Sequence, residues 1–263
     1  MAKPATSTGM LENQTIIITG TASGIGLAAT TAALNEGARV FGVDLTIPPE
    51  TLQQHRNFKF LQCDLTGVLA ADDVVSACTE AYGARIDALV NVAGVMDHYG
   101  SVDTLADEMW EKCLAVNLTA PVKLMRAVIP FMRGHSSGGS IVNVASKAGL
   151  SGGAGGVAYT ASKHGLIGAT KNVAWRFKGE NIRCNVICPG AVATGMINGV
   201  KAVDIDKDAL ASMQPVLAGH LADGQWPYIG PEEIAHTLIF LASNLSARIS
   251  GSVIPIDNAW STM

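Results

Sequence analysis

Short apolar runs of strand length recur along the chain, separated by segments long enough for helices. Residues 15–19, 39–43, 58–62, 88–92, 140–145, 182–187 and 253–256 are rich in β-branched side chains and read as seven strands. Between them, 25–36, 68–82, 105–132 and 157–178 have the length of crossover helices. Thr15-Ile16-Ile17-Ile18-Thr19 and Ile141-Val142-Asn143-Val144-Ala145 are apolar nearly throughout, as parallel strands covered on both faces must be. The pattern predicts an α/β fold: a single Rossmann-type domain over 1–263, with a doubly wound seven-stranded parallel sheet and helices on both faces. Residues 1–12 read as a flexible N-terminus. The alternation breaks at 194–230, where Met196, Met213, Leu217, Leu221 and Trp226 mix with Gly, Asp and Pro. That stretch is either a mobile lid on the substrate side or a helical insertion packed on the body.

Composition narrows the function classes. A 48% hydrophobic and 15% charged chain buries a large core, and a net charge of −4 disfavours a nucleic-acid partner. No apolar run reaches the roughly 18 residues of a membrane span, and the polar N-terminus has no signal-type apolar stretch. Cys63, Cys78, Cys113, Cys184 and Cys188 are an odd set without a Cys-x-x-Cys pair, and the six histidines lack metal spacing. These features predict reduced thiols, no metal and a cytoplasmic protein.

The first strand runs directly into Thr19-Gly20-Thr21-Ala22-Ser23-Gly24-Ile25-Gly26, with a helical pattern at once behind it. Glycines let backbone approach a pyrophosphate closely, and free N–H groups at the helix start favour its charge. Asp44 closes the second strand, roughly 20 positions on, where a dinucleotide fold places the acid that binds the adenosine ribose. A carboxylate there repels a 2′-phosphate, and no Arg or Lys stands at Thr21, Ala22, Leu45 or Thr46, so NAD is the expected cofactor. Asp64 and Leu65, after the third strand, are expected near the adenine.

Tyr159 and Lys163 lie four apart on one face of a helical segment, and Ser146 terminates the buried run before it. Carboxyl ends of strands are where open α/β sheets bind ligands. An ammonium about 4 Å from the phenol, at an effective dielectric near 20, is worth roughly 4 kcal/mol, or about three pKa units. That predicts a tyrosine brought within physiological reach as an acid/base, with Ser146 donating to the substrate oxygen.

Together the loop Thr19 to Gly26, Asn91-Val92-Ala93-Gly94, Asn117, Ser146, Tyr159 and Lys163 resemble the signature of the short-chain dehydrogenase/reductase family, over most of the chain. The resemblance implies Tyr159 as proton donor or acceptor, Ser146 as substrate polariser and Lys163 on the nicotinamide ribose. It implies Asn117 as holder of a relay water. Asn91, Ala93 and Gly94 would then flank the cofactor, and Pro189, Gly190, Val192 and Thr194 would grip its carboxamide. Two positions depart from the family pattern: Val92, where a second Asn is common, and Asn258-Ala259, where a Gly pair is common. The second touches a contact through which family tetramers pair, so a homo-oligomer is expected, tetramer or dimer.

Apolar and small residues expected around the pocket, among them Met96, Ala148 and Met196, suit a bulky apolar alcohol or ketone of the steroid, terpenoid or polyketide kind. The sequence is similar to biosynthetic members acting on terpenoid ring hydroxyls, a link to secondary metabolism. Asp97 and His98 read as rim residues. Two other functions fit the same residues: a catalytically silent dinucleotide-binding sensor or scaffold, and an epimerase-type use of NAD without net redox.

Overall fold

The computed structural model describes residues 9–135, 137–195, 205–221, 225 and 227–262. Seven strands form one sheet: β1 (Thr15–Thr19), β2 (Arg39–Asp44), β3 (Phe58–Gln62), β4 (Ala88–Asn91), β5 (Gly139–Val144), β6 (Ile182–Pro189) and β7 (Val253–Ile256). Their order is β3-β2-β1-β4-β5-β6-β7, and every neighbouring pair is parallel. The chain reverses its direction of winding between β1 and β4. A crevice therefore opens there, above the carboxyl ends of the strands.

Among the described residues the α-helices are α1 (Gly24–Asn35), α2 (Glu50–Gln53), α3 (Ala70–Tyr82), α4 (Asp107–Leu114), α5 (Ala120–Met132), α6 (Val157–Phe177), α7 (Lys207–Ala218) and α8 (Pro231–Ala242). In β1, Ile16 and Ile18 point to one face and join Ala29 of α1 and Leu238 of α8 in one core. Ile17 points to the other and packs with Val74 of α3 and Met125 and Val128 of α5. This double cover is why the strand carries three consecutive isoleucines, all fully buried.

The helical run predicted over 105–132 is continuous from Asp107 to Met132, but with one π-turn, Ala115–Thr119, between α4 and α5. It is long and apolar enough by composition to cross a membrane, although Lys123 and Arg126 interrupt its apolar run. Its apolar side is accounted for by the fold, since Leu124, Met125, Val128 and Met132 are buried against the sheet. The π-turn has a local cause. Residue 121 is proline, whose missing N–H deprives the Asn117 carbonyl of its α-helical donor.

Of the irregular stretch 194–230, the described part contains α7, and a bridge between Val192 and Ile229 closes its base. α7 packs through Met213 and Leu217 against Trp260 of the C-terminal turn. Met196 and Trp226 lie outside the described residues.

Candidate active site

At the carboxyl end of β1, Gly20 has a positive φ of 77°, and a Cβ at Gly26 would stand 1.9 Å from the Gly20 carbonyl oxygen. Only glycine lets α1 begin so close beneath the loop. Ser23 caps α1 in an extended conformation, makes no side-chain cap bond, and no acid occupies the first turn. The helix start thus keeps its partial positive charge for an anion. Asp44 stands across the loop, its two carboxylate oxygens accepting the N–H of Ala22 at 2.9 Å and of Thr46 at 2.9 Å. Thr19 Oγ1 accepts from the N–H groups of Val92 and Ala93, both at 3.0 Å, tying the loop to the turn after β4.

From this loop a cleft of about 960 Å³ runs to the C-terminal turn. Gly20, Ser23, Gly24, Ile25 and Gly26 line its first part, with Asp44, Asp64 and Leu65 on one side. Ala93 and Gly94 form its floor, and Pro189, Gly190, Val192 and Thr194 lie on the far side of the sheet's reversal. Tyr159, Ser146 and Met96 line the next stretch. The sequence thus places these residues on one continuous wall, although five crossovers separate them along the chain.

Ser146 follows β5 and starts a short helical turn at Lys147–Gly149, where its Oγ accepts the Ala148 N–H at 3.1 Å. Tyr159 is buried two residues into α6, and burial pushes its phenol up to about 12 against a hydrogen bond with Ser146 that favours ionisation. The charges of Asp97, Cys113 and Tyr99 raise it further. Lys163 Nζ donates to the Val144 carbonyl at 3.0 Å and sits 5.5 Å from the centre of the Tyr159 ring. Burial brings this ammonium down to about 8. The sequence led to the expectation that Lys163 lowers the phenol by about three units; without nucleotide, burial is the largest cause acting on Tyr159. The Nζ of Lys163 donates to the Val144 carbonyl, and desolvation by burial is the largest cause acting on both groups.

A family model described as short chain dehydrogenase matches residues 14–204, the span that contains the loop, Ser146, Tyr159 and Lys163. The chain belongs to the short-chain dehydrogenase family. It is 58% identical over 257 residues to a short-chain dehydrogenase/reductase of Penicillium canescens, covering 97% of this chain and 99% of that protein. It is also 58% identical over 257 residues to the asnovolin H dehydrogenase of Aspergillus novofumigatus, with 97% and 100% covered. Among solved structures, the ligand-free aldohexose dehydrogenase of Thermoplasma acidophilum superposes with a TM-score of 0.82 at 27% identity, over 98% of this chain and 97% of that one. Levodione reductase does so with a TM-score of 0.83 at 27% identity, over 96% and 99%.

Membership makes the protein an oxidoreductase of small-molecule alcohols and ketones that uses a nicotinamide dinucleotide. The loop fits that group, because the approach of α1 to Gly20 leaves no room for a side chain where a pyrophosphate would lie. Lys163 Nζ stands beside the Gly94 turn, 3.5 Å from where a Cβ on that glycine would be.

Within the short-chain dehydrogenase scaffold, several expected site residues work behind the wall rather than on it. Asn91, expected at the cofactor, is buried and donates to Asn143 at 2.8 Å, which donates on to Thr170 of α6 at 2.9 Å. It ties β4, β5 and α6 together. Ala148, expected at the substrate, is fully buried outside the cleft lining. The Asn117 side chain is spent on the backbone of Val95, accepting its N–H at 2.8 Å and donating to its carbonyl at 2.9 Å, and on Ser162 at 3.1 Å. What Asn117 can offer a water is its main-chain carbonyl, whose helical donor Pro121 removes.

Of the far wall, sequence reading had the stretch 194–230, which supplies Leu210 and Leu217, on the substrate side, but missed Tyr99 and Trp260. Tyr99, Leu210, Leu217 and Trp260 line this wall, and Trp260 is fixed by its Nε1 donating to Val216 at 3.2 Å and by Lys147 Nζ donating to its carbonyl at 3.2 Å. An isolated tryptophan near the C-terminus was the only hint of Trp260. Asp97, read as a rim residue, is fully buried.

Proposed function

We propose that the protein is an NAD(H)-dependent dehydrogenase and ketone reductase for a secondary hydroxyl on a bulky apolar molecule of the steroid, terpenoid or polyketide kind. The carrying observation is that Tyr159 and Ser146 face one cleft between the Asp44 carboxylate and the apolar wall of Leu210, Leu217 and Trp260. Bound in the cleft, the nicotinamide would accept or supply the hydride, and its oxidised ring would add the positive charge that the phenol of Tyr159 lacks. Tyr159 then takes the hydroxyl proton in oxidation, or gives it in reduction. Ser146 donates to the substrate oxygen, where negative charge grows, and its bond with Tyr159 keeps the two groups on the same atom. Lys163 holds the nicotinamide ribose with the N–H groups it does not give to Val144, and Asn117 holds a relay water by its carbonyl. Asp44 favours NAD by repelling a 2′-phosphate.

The relative named for asnovolin H supports a dedicated substrate and a place in secondary metabolism. All five thiols are free, which suits the cytoplasm, and exposed Val122 and Trp175 suit self-association into a dimer or tetramer. A panel of hydrophobic alcohols and ketones with NAD(H), followed by nicotinamide absorbance, tests the reading. Tyr159→Phe is expected to abolish turnover while NADH binds nearly as before. Surviving turnover in that variant refutes the acid/base role, and polar sugars outrunning apolar alcohols refute the substrate class.

A further inference from the structure

Helix α6 carries Tyr159 in its first turn but lacks the usual means of holding that turn. Its N-cap is Gly156, which has no side chain to cap with, and no acidic residue stands in the first turn. The missing acceptor comes from the loop after β4. Asp97 accepts the Gly156 N–H at 3.0 Å on one carboxylate oxygen and the Tyr159 N–H at 2.9 Å on the other. The first oxygen also accepts the Tyr99 N–H at 3.2 Å. This last contact holds a bulky residue at a φ of 63°, the left-handed region that Tyr rarely adopts. A non-glycine residue stays there only when its surroundings over-determine it. The fit is close: a Cβ on Gly156 would stand 2.4 Å from the Asp97 carboxylate, so the glycine that cannot cap the helix is also what admits its substitute.

We propose that Asp97 is a positioning residue for the reaction: one buried carboxylate sets the first turn of α6, and so Tyr159, against the Ala93–Gly94 turn, and sets Tyr99 on the substrate wall. This rests on Tyr159 being the acid/base. The arrangement has an electrostatic side. Tyr159 faces Lys163 on its own helix, Ser146 after β5, Cys113 on α4, and Asp97 and Tyr99 from the β4 loop. Of these, the charge of Asp97 opposes the phenolate. Asp97 therefore holds Tyr159 in place while keeping its proton on, and the proton becomes available when positive charge arrives beside the ring.

Asp97→Asn keeps the shape and removes the charge, and Gly156→Ala keeps the charge but pushes the carboxylate off the helix. Each is compared with wild type in protein saturated with NAD+. The first measurement is amide hydrogen exchange over the first turn of α6. The second is the tyrosinate ultraviolet band, taken as the difference between each protein and its Tyr159→Phe counterpart. First-turn protection is expected to fall at least tenfold in both variants, the loss of a cap bond. In Asp97→Asn the Tyr159 midpoint is expected about one unit lower, as for removal of one nearby charge at an effective dielectric near 20. An unchanged midpoint in Asp97→Asn overturns the proposal even if protection falls, since a plain structural cap would do only the latter. Unchanged protection in both variants overturns it too. If Tyr159→Phe retains turnover, the acid/base reading fails separately, because the exchange and titration measurements need no substrate.

Discussion

Replacing Lys163 by methionine removes a buried ammonium at nearly constant volume, and the structure fixes what that should do to stability. Burial moves this lysine from 10.5 to about 8, a displacement worth roughly 3 kcal/mol at 1.36 kcal/mol per unit. At pH 7 both the folded and the unfolded chain carry the charge, so the folded state bears the whole desolvation cost. As pH rises through about 8, the folded lysine sheds its proton while the unfolded one keeps it, and the cost fades toward 10.5. Lys163 thus contributes stability that is present above its unfolded value and lost as pH falls through its folded one. Against this stands the bond from Nζ to the Val144 carbonyl at 3.0 Å, whose removal leaves a buried acceptor unsatisfied at about 1–3 kcal/mol. The two effects nearly cancel at neutral pH, so the pH dependence is the decisive observable. Urea unfolding of both proteins without nucleotide, at fixed concentration, should show wild type gaining roughly 3 kcal/mol on the variant between neutral pH and about pH 10. Cys113 and Cys188 face the same ammonium but are pushed up to about 11, above that window. A difference that stays constant with pH would refute the buried-charge account. On the proposed mechanism the variant should also be inactive, which would make Lys163 a group kept for chemistry at a cost in stability.

Two further substitutions probe the ends of the cleft. Asp44→Ala should raise the ratio of NADP(H) to NAD(H) affinity by roughly tenfold, from lost repulsion of the 2′-phosphate. Because the carboxylate also holds the N–H groups of Ala22 and Thr46, both affinities fall together, so the ratio from fluorescence titration is the test, and an unchanged ratio sinks the argument. Ala259 sits at a φ of 66° beside Asn258 at 50°, where the family pattern has glycines. Ala259→Gly should stabilise the protein by about 0.5 kcal/mol, relief of about 1–2 kcal/mol of left-handed strain less the extra entropy of glycine. A lower melting temperature for that variant would refute it.

What the sequence made legible was what depends on neighbours in the chain. Ile16-Ile17-Ile18 shows a strand covered on both faces because alternate side chains each report one face, and the loop to Gly26 shows a tight approach because the residue type and the contact are local. The helix over 105–132 was visible by length, but not the π-turn at Asn117, although Pro121 four positions on was its local signal. The lateral role of Asn91 was hidden, since its partners Asn143 and Thr170 are brought to it only by the strand order.

Asp97 marks the boundary most sharply. An aspartate a few residues past a cofactor turn is, in the sequence, one polar loop residue among several. Its meaning is set by Gly156, nearly sixty positions away, and that glycine reads in isolation as a weak helix start. Each residue looks unfavourable alone: a buried carboxylate with no cation within salt-bridge distance among the described residues, a helix without a cap, a tyrosine at positive φ. Brought together, the three needs satisfy one another, because the N–H groups that lack acceptors are donated to the oxygens that lack donors. Such a residue is found by asking where the first-turn N–H groups of the helix that carries Tyr159 go, a question that the sequence poses at Gly156 and only the fold can answer.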